Sequence, residues 1–375
     1  MMRTLSGEIA RTDGSLTRGQ ITFDAKIVEV HEGPAAGNDY IVPGFIDLQV
    51  NGSHGIDVMS ADSAALRRLG EQLALEGTTA WLPTAVTSPI ARIERAHGAI
   101  ADAMDAARED MQGARGAAAI LGMHLEGPFI SARRLGAHPS LNLEPHGDEF
   151  ELVAALRALR LVTLAPELPG ALEAIGRLVA RGVAVSIGHT DATLEEARAA
   201  VGAGARMFTH LYNAMRPLGH RDPGVIAAAL ANSEARAAII PDAVHVHPEM
   251  LRLAYTARGM KGLIITSDKV ALAGAAPDAA LEVGRARARI ERGAARLADG
   301  TLAGSIISML DGVRVMVRRV GVPVAEAVVM AATNPAAVGG FKDRGRLDPG
   351  TRADLIVLSR ELELKAVFIA GRELV

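Results

Sequence analysis

Eight short apolar runs, each stopped by glycine, proline or a lone polar residue and each followed by a helix-like stretch, organise the middle of this chain. They fall at 41–50, 79–86, 118–126, 161–166, 183–188, 207–210, 237–241 and 262–267. Helical spacing fills the gaps, for example at 63–76, 89–111, 194–203 and 248–257, and two more helical segments follow at 305–320 and 324–332. Short continuous apolar runs read as strands buried on both faces. Strict strand–helix alternation calls for a parallel sheet, because parallel neighbours need a long crossover. Eight such units predict an α/β fold, a closed (β/α)8 barrel of TIM type. A doubly wound open sheet shares the pattern, since alternation does not reveal closure.

The two ends read differently. Ile21-Thr22-Phe23 and residues 26–30 are β-like, with turn signals at Asp13-Gly14 and Glu32-Gly33-Pro34. Strand-like segments return at 354–358 and 365–370. Neither end can bury both of its faces alone, so the termini are expected to pair into one small β-sandwich beside the barrel. The expected organisation is sandwich at 1–42, barrel at 43–344 and sandwich again at 345–375. Residues 271–298, rich in Ala and Arg, receive no assignment.

Composition narrows the function classes. The 375 residues exceed a bare barrel and leave room for one small module. A formal net charge of -3 gives no electrostatic case for nucleic acid or an anionic membrane as partner. Residues 1–10 lack a signal-peptide core, and no apolar run is long enough to span a bilayer, so a cytoplasmic protein without membrane contact is expected. The chain has no cysteine. Any metal must therefore use imidazole and carboxylate ligands, and a reducing compartment fits.

Chemistry concentrates where the runs end. Glu126, His189 and His210 each close an apolar run, and Asp268 follows another. In a parallel barrel those positions converge on one rim, where active sites lie. A lone histidine is more often structural than ligating. A glutamate at the end of a buried strand, however, needs a partner or a metal. One carboxylate and two imidazoles suit a hydrolytic divalent ion with one position open. Asp268 reads either as a helix cap or as a general base. Such ligands accept zinc, iron, cobalt or manganese, with zinc the first expectation.

These motifs resemble the amidohydrolase superfamily and, within it, the N-acetylglucosamine-6-phosphate deacetylase family. The resemblance covers nearly the whole chain. Its carriers are Pro43-Gly44-Phe45-Ile46-Asp47, His124-Leu125-Glu126-Gly127-Pro128, Leu164-Ala165-Pro166-Glu167, Gly188-His189-Thr190, Thr209-His210-Leu211-Tyr212-Asn213-Ala214-Met215 and Ala303-Gly304-Ser305. It implies hydrolysis of the N-acetyl group of a phosphorylated amino sugar in a homodimer. It also implies Glu126, His189 and His210 as metal ligands, Asp268 as the catalytic carboxylate and His138 as the residue that polarises the carbonyl. Substrate contacts are implied at Ala137, Asn213, Ala214, Arg221, His245 and Ala303, with Arg221 acting across the dimer interface.

Two departures from the wider pattern carry expectations. Where many amidohydrolases have His-x-His, this chain has Gln49-Val50-Asn51. Neutral amides bind transition metals poorly beside imidazoles, so one ion rather than two is expected. Lys269 stands where the family has a small residue after the catalytic carboxylate. It reads as a solvated charge, with an altered rim near the sugar as the alternative.

Overall fold

The structure is a computed structural model that describes residues 2–374 except 35, 110–115, 232–233, 277 and 285. Eight parallel strands pair in chain order: β1 (Phe45–Val50), β2 (Thr78–Val86), β3 (Met123–Glu126), β4 (Leu159–Leu164), β5 (Ala184–Ile187), β6 (Met207–Phe208), β7 (Arg236–Ile239) and β8 (Leu263–Ile265). Backbone bonds then join the last strand to the first. The Asp268 N–H donates to the Gln49 carbonyl at 3.0 Å, and the Asn51 N–H donates to the Lys269 carbonyl at 2.9 Å. Val50 and Lys269 form a parallel bridge at the same place. The sheet is thus a barrel, and the open alternative is excluded.

The seam is held by a buried carboxylate. Asp47, 1% exposed, accepts from the Thr266 hydroxyl at 2.9 Å, from the Ser267 amide at 3.2 Å and from the Gln49 amide at 3.2 Å. It also accepts from the Ser267 hydroxyl. Burial pushes its pKa up, while these bonds pull it down. Lys269 seals the seam from outside the site. Its side chain is 2% exposed, and its Nζ lies 2.6 Å from Glu76 Oε2. The expectation of a solvated lysine is therefore overturned: an ammonium can be buried here because a carboxylate from the end of the 63–75 helix meets it.

The barrel interior is layered. Ile46, Leu48, Leu82, Leu161, Met207, Ala238 and Ile264 belong to one apolar cluster, which helix Asn334–Gly339 joins through Ala336. Polar side chains form a second buried layer. His124 Nε2 lies 2.8 Å from Thr163 Oγ1, which lies 2.7 Å from Thr209 Oγ1; Ser186 Oγ is 2.5 Å from the same Thr209 oxygen. Each buried polar atom in this layer finds a partner, which avoids a cost of about 1–3 kcal/mol per orphaned group.

Both termini build one seven-stranded sheet from Arg3–Ala10, Leu16–Phe23, Ile27–Glu32, Tyr40–Pro43, Leu355–Leu358, Leu364–Ile369 and Arg372–Glu373. Phe23 and Phe368 sit on strands four steps apart in that sheet, yet their ring centroids are 5.2 Å apart. A flat sheet would separate them by roughly 19 Å at about 4.8 Å per strand. The sheet therefore folds over on itself into the expected sandwich, with Ile9, Ile21, Ile41 and Leu355 in its core.

Several local differences have clear causes. The run 41–50 is two strands because the chain crosses from sandwich to barrel at Gly44, where a Cβ would lie 2.2 Å from the Thr79 side chain. The run 118–126 breaks at Gly122, whose φ is 141°. The segment 305–320 turns helical only at Met309, where Ser308 and Asp311 form a reciprocal capping box, and it ends in a π turn at Met316–Val320. The expected end of helix 89–111 lies partly outside the described residues; the helix spans Ile90–Glu109. The unassigned stretch forms a three-stranded antiparallel sheet, Ala280–Val283, Ala286–Glu291 and Ala294–Leu297.

Replacing the seam carboxylate tests this account of closure. Asp47→Ala strands several buried donors, each costing about 1–3 kcal/mol. A loss of about 3 kcal/mol or more in unfolding free energy by urea titration is expected. A loss below about 1 kcal/mol, in the range of ordinary surface substitutions, would show that the seam closes without Asp47.

Candidate active site

The ends of strands β3, β5, β6 and β8 bring four distant side chains to one rim. Glu126 is the last residue of β3, and His189, His210 and Asp268 follow β5, β6 and β8 by a few residues. The last three hold left-handed backbone, with φ of 48°, 29° and 49°. Such conformations cost on the order of 1–3 kcal/mol each for non-glycine residues and persist where the surroundings over-determine them. Here they turn each side chain off its strand and into the cavity.

The donor atoms are within contact of one another. His210 Nε2 lies 3.0 Å from Glu126 Oε1 and 3.1 Å from His189 Nε2, and His189 Nε2 lies 3.3 Å from the same carboxylate oxygen. His138 Nε2 is 3.5 Å from the other oxygen, Glu126 Oε2. All four side chains are less than a tenth exposed. The ring orientation of His189 is fixed from behind. Its Nδ1 lies 2.9 Å from the Arg134 carbonyl, which can only accept, so Nδ1 carries the proton and Nε2 presents its lone pair to the cluster. Ligand atoms of Glu126, His138 and His189 all lie within 4.8 Å of one another, close enough to share an ion. The donor set therefore fits a divalent ion: buried, convergent, one carboxylate among imidazoles, with a ligand tautomer already set.

Electrostatics separate the two carboxylates. Burial acts to raise Glu126, but the neighbouring imidazoles of His138, His189 and His210 hold it well below the ordinary value. Asp268 is pushed up to about 6 by burial and by the nearby Glu126 charge. His189 is pushed down to about 4, first by burial and then by His138. Burial also opposes charge on His210, yet the bond and charge of Glu126 raise it above its usual value.

Gln49 and Asn51 lie against the two carboxylates. Gln49 Nε2 donates to Glu126 Oε1 at 2.8 Å and to Asp268 Oδ1 at 2.9 Å; Asn51 Nδ2 donates to the same Asp268 oxygen at 2.8 Å. Their amide nitrogens face the two carboxylates, so these side chains act as hydrogen-bond donors.

A cavity of about 270 Å³ opens over this cluster. Of the residues expected to touch substrate, Ala137, Asn213, Ala214, His245 and Ala303 line it, as does His138. His245 is locked by Asp242, whose Oδ2 is 2.6 Å from Nδ1. Burial would raise Asp242, but the His245 contact and two backbone amides hold it low. Arg221 is different: it is exposed on the loop after β6 and does not line its own chain's cavity.

The sequence reading passed over several lining residues. Arg92 lines the cavity together with Asp57 and Glu282. A signal existed, since Arg92 lies in the first turn of its helix, where a cation opposes the helix dipole. Glu282, Val283 and Gly284 come from the three-stranded sheet, whose Ala-Arg alternation at 286–289 is a period-two pattern. Alanine is too weakly apolar to make that pattern stand out.

Comparison with known proteins agrees with this geometry. Residues 40–374 match the Amidohydrolase family. The chain is 34% identical over 363 residues to the N-acetylglucosamine-6-phosphate deacetylase of Lysinibacillus sphaericus, covering 96% of this chain and 91% of that protein. It is 37% identical over 338 residues to the N-acetylgalactosamine-6-phosphate deacetylase of Escherichia coli O157:H7, covering 89% and 87%. Among solved structures, the N-acetylglucosamine-6-phosphate deacetylase of Thermotoga maritima superposes with a TM-score of 0.90 at 29% identity, covering 100% of this chain and 99% of that one. A variant of the Mycobacterium smegmatis enzyme in complex with N-acetyl-D-glucosamine-6-phosphate gives a TM-score of 0.89 at 32% identity, with 99% of both chains covered.

Ion binding should release protons. A protonated His210 cannot ligate, and its pKa is raised in the metal-free protein, so a bound ion must displace that proton. Affinity should fall as pH falls below neutrality. Calorimetry in two buffers of different ionisation enthalpy measures the release; an ion affinity that stays constant as the pH is lowered through the ordinary histidine value of 6.5 would show that His210 is not a ligand.

Proposed function

This chain belongs to the amidohydrolase family, in its N-acetylglucosamine-6-phosphate deacetylase branch, and we propose that it hydrolyses the N-acetyl group of N-acetylglucosamine 6-phosphate to glucosamine 6-phosphate and acetate. The observation that carries the reading is the meeting of Glu126, His189, His210 and Asp268 under one cavity, in a chain whose relatives bear that name. Glu126, His189 and His210 would hold one divalent ion, with zinc the favoured metal for this borderline donor set. Such an ion supplies Lewis acidity, polarising oxygen and easing loss of a proton from water.

The protein's own groups account for the proton traffic. Gln49 and Asn51 both donate to Asp268 Oδ1, which leaves Oδ2 to take the proton of the attacking water. A carboxyl near 6 is matched to that duty at neutral pH. As the C–N bond breaks, the same carboxyl returns the proton to the amide nitrogen, giving a free amine and acetate. His138 lines the cavity, where, with both ring nitrogens protonated, its Nε2–H would polarise the carbonyl, a contribution of about 2.7–4 kcal/mol for one well-placed donor. His245, Asn213 and Ala214 would hold the sugar phosphate.

Arg221 supports a homodimer. Its fork suits a phosphate, yet it lies outside its own chain's cavity, so we assign it to the cavity of a second copy. Leu218, Met250 and Leu253 are exposed apolar residues on neighbouring segments and would supply contact area. The cysteine-free chain suits a cytoplasmic setting.

Acetate release from paired N-acetylglucosamine and N-acetylgalactosamine substrates, each with and without the 6-phosphate, tests the reaction. The phosphorylated glucosamine derivative should be the best substrate, and a chelator should stop turnover. Equal rates without phosphate, or acetate release that survives metal removal, would sink the reading. Asp268→Asn should keep the ion and lose at least about a hundredfold in kcat, the range of a lost general base; near-normal turnover would exclude it from proton transfer. Arg221→Ala should raise KM for phosphorylated substrate alone, and an unchanged KM would remove Arg221 from phosphate binding.

A further inference from the structure

Thr87 lies immediately after β2, is 1% exposed and has no part in the chemistry described above. Its hydroxyl stands between two groups of the site. Oγ1 donates to the Glu126 backbone carbonyl at 3.2 Å, and it is 2.8 Å from His138 Nδ1. A hydroxyl has one proton. A carbonyl can only accept, so both contacts are satisfied together in one arrangement: the hydroxyl donates to Glu126, His138 Nδ1–H donates, and Thr87 Oγ1 accepts. We infer that Thr87 is a positioning residue that fixes the ring orientation and proton placement of His138, keeping a proton on Nδ1 and aiming Nε2 at Glu126 and the cavity.

The surroundings are shaped for this contact. A Cβ on Gly127 would sit 2.1 Å from Thr87 Oγ1, so the glycine after Glu126 makes room for the hydroxyl. Gly127 also holds a φ of 82°, which disfavours a side chain there independently. On the far side, the loop carrying His138 is pressed by the three-stranded sheet: a Cβ on Gly284 would lie 2.3 Å from the Ala137 carbonyl oxygen. His138 is also packed against the His189 ring, centroid to centroid 4.4 Å. The ring is thus restrained on three sides, and Thr87 is the partner that distinguishes its two nitrogens. A flipped ring would place the carbon Cδ2 where Nδ1 now meets Thr87 and would take Nε2 away from Glu126.

The kinetic part of this inference rests on the deacetylase reading; the proton placement does not, and the experiment separates them. In zinc-loaded protein carrying ¹⁵N-labelled histidine, long-range ¹H–¹⁵N spectra report which ring nitrogens of His138 are protonated, with His138→Gln used to assign the signals. Nδ1 should be protonated in the wild type. Thr87→Val, close in shape, should shift the Nδ1 signal and lower kcat by about tenfold to a hundredfold, the usual effect of removing a residue that orients a site group. KM should change less than about threefold, because ground-state binding is untouched. Thr87→Ser restores the hydroxyl and should restore both kcat and spectrum, which a loss of packing alone would not explain. An unprotonated Nδ1 in the wild type overturns the inference, as does wild-type turnover in Thr87→Val. Should the valine variant fail to fold, the wild-type spectrum and the serine variant still decide. A wild type that releases no acetate from the sugar phosphate would defeat the deacetylase reading and leave the spectral result standing.

Discussion

Closure of the barrel between β1 and β8 is the constraint on which the site depends. Both ends of the chemistry sit at that seam: Gln49 on the first strand, Asp268 just after the last. A seam made by backbone bonds alone would be short, because β8 spans only Leu263–Ile265. Asp47 extends it with four accepted bonds, three of them from Thr266 and Ser267, the residues that lead into Asp268. Hydrogen bonds to a charged acceptor contribute about 1.5–3 kcal/mol each, and here they fall where the backbone must turn left-handed. A buried carboxylate, costly on its own, thus holds a second carboxylate at working height.

Above the seam the barrel trades apolar filling for polar order in steps. The lower layer is aliphatic. The middle layer, His124 with Thr163, Thr209 and Ser186, is polar but self-satisfied. Only at the rim do charged and ionisable groups face one another, and there they differ in pKa. Glu126 is held ionised by three imidazoles while Asp268 is lifted toward neutrality. One carboxylate is thereby suited to binding an ion and the other to moving a proton. Gln49 ties Asp268 to Glu126 by donating to both carboxylates, and Asn51 adds a bond to Asp268.

Much of this was legible in the chain. The strand–helix alternation, the pairing of the two termini and the placing of Glu126, His189, His210 and Asp268 at strand ends follow from apolar runs and the residues that stop them; closure of the barrel shows only in bonds such as Asp268 to Gln49. The misses have physical causes. Lys269 reads as solvated because its partner, Glu76, is distant in sequence. Arg92 lies one helical turn past a strand end, so a reading confined to strand ends passes over it. The sheet at 280–297 alternates with alanine, whose burial is too slight to mark a core face.

The sequence by itself determined which residue types stand at the strand ends, because side-chain chemistry and apolar periodicity are properties of the chain. It could not determine where those side chains point. That is decided by backbone turns at His189, His210 and Asp268, which no local preference favours and only packing enforces. It is decided equally by bonds such as Asp47 to Ser267 and Thr87 to His138, whose partners are 220 and 51 residues apart. A hydrogen bond at that separation depends on how the strands carrying its partners are brought together, so its geometry belongs to the tertiary structure.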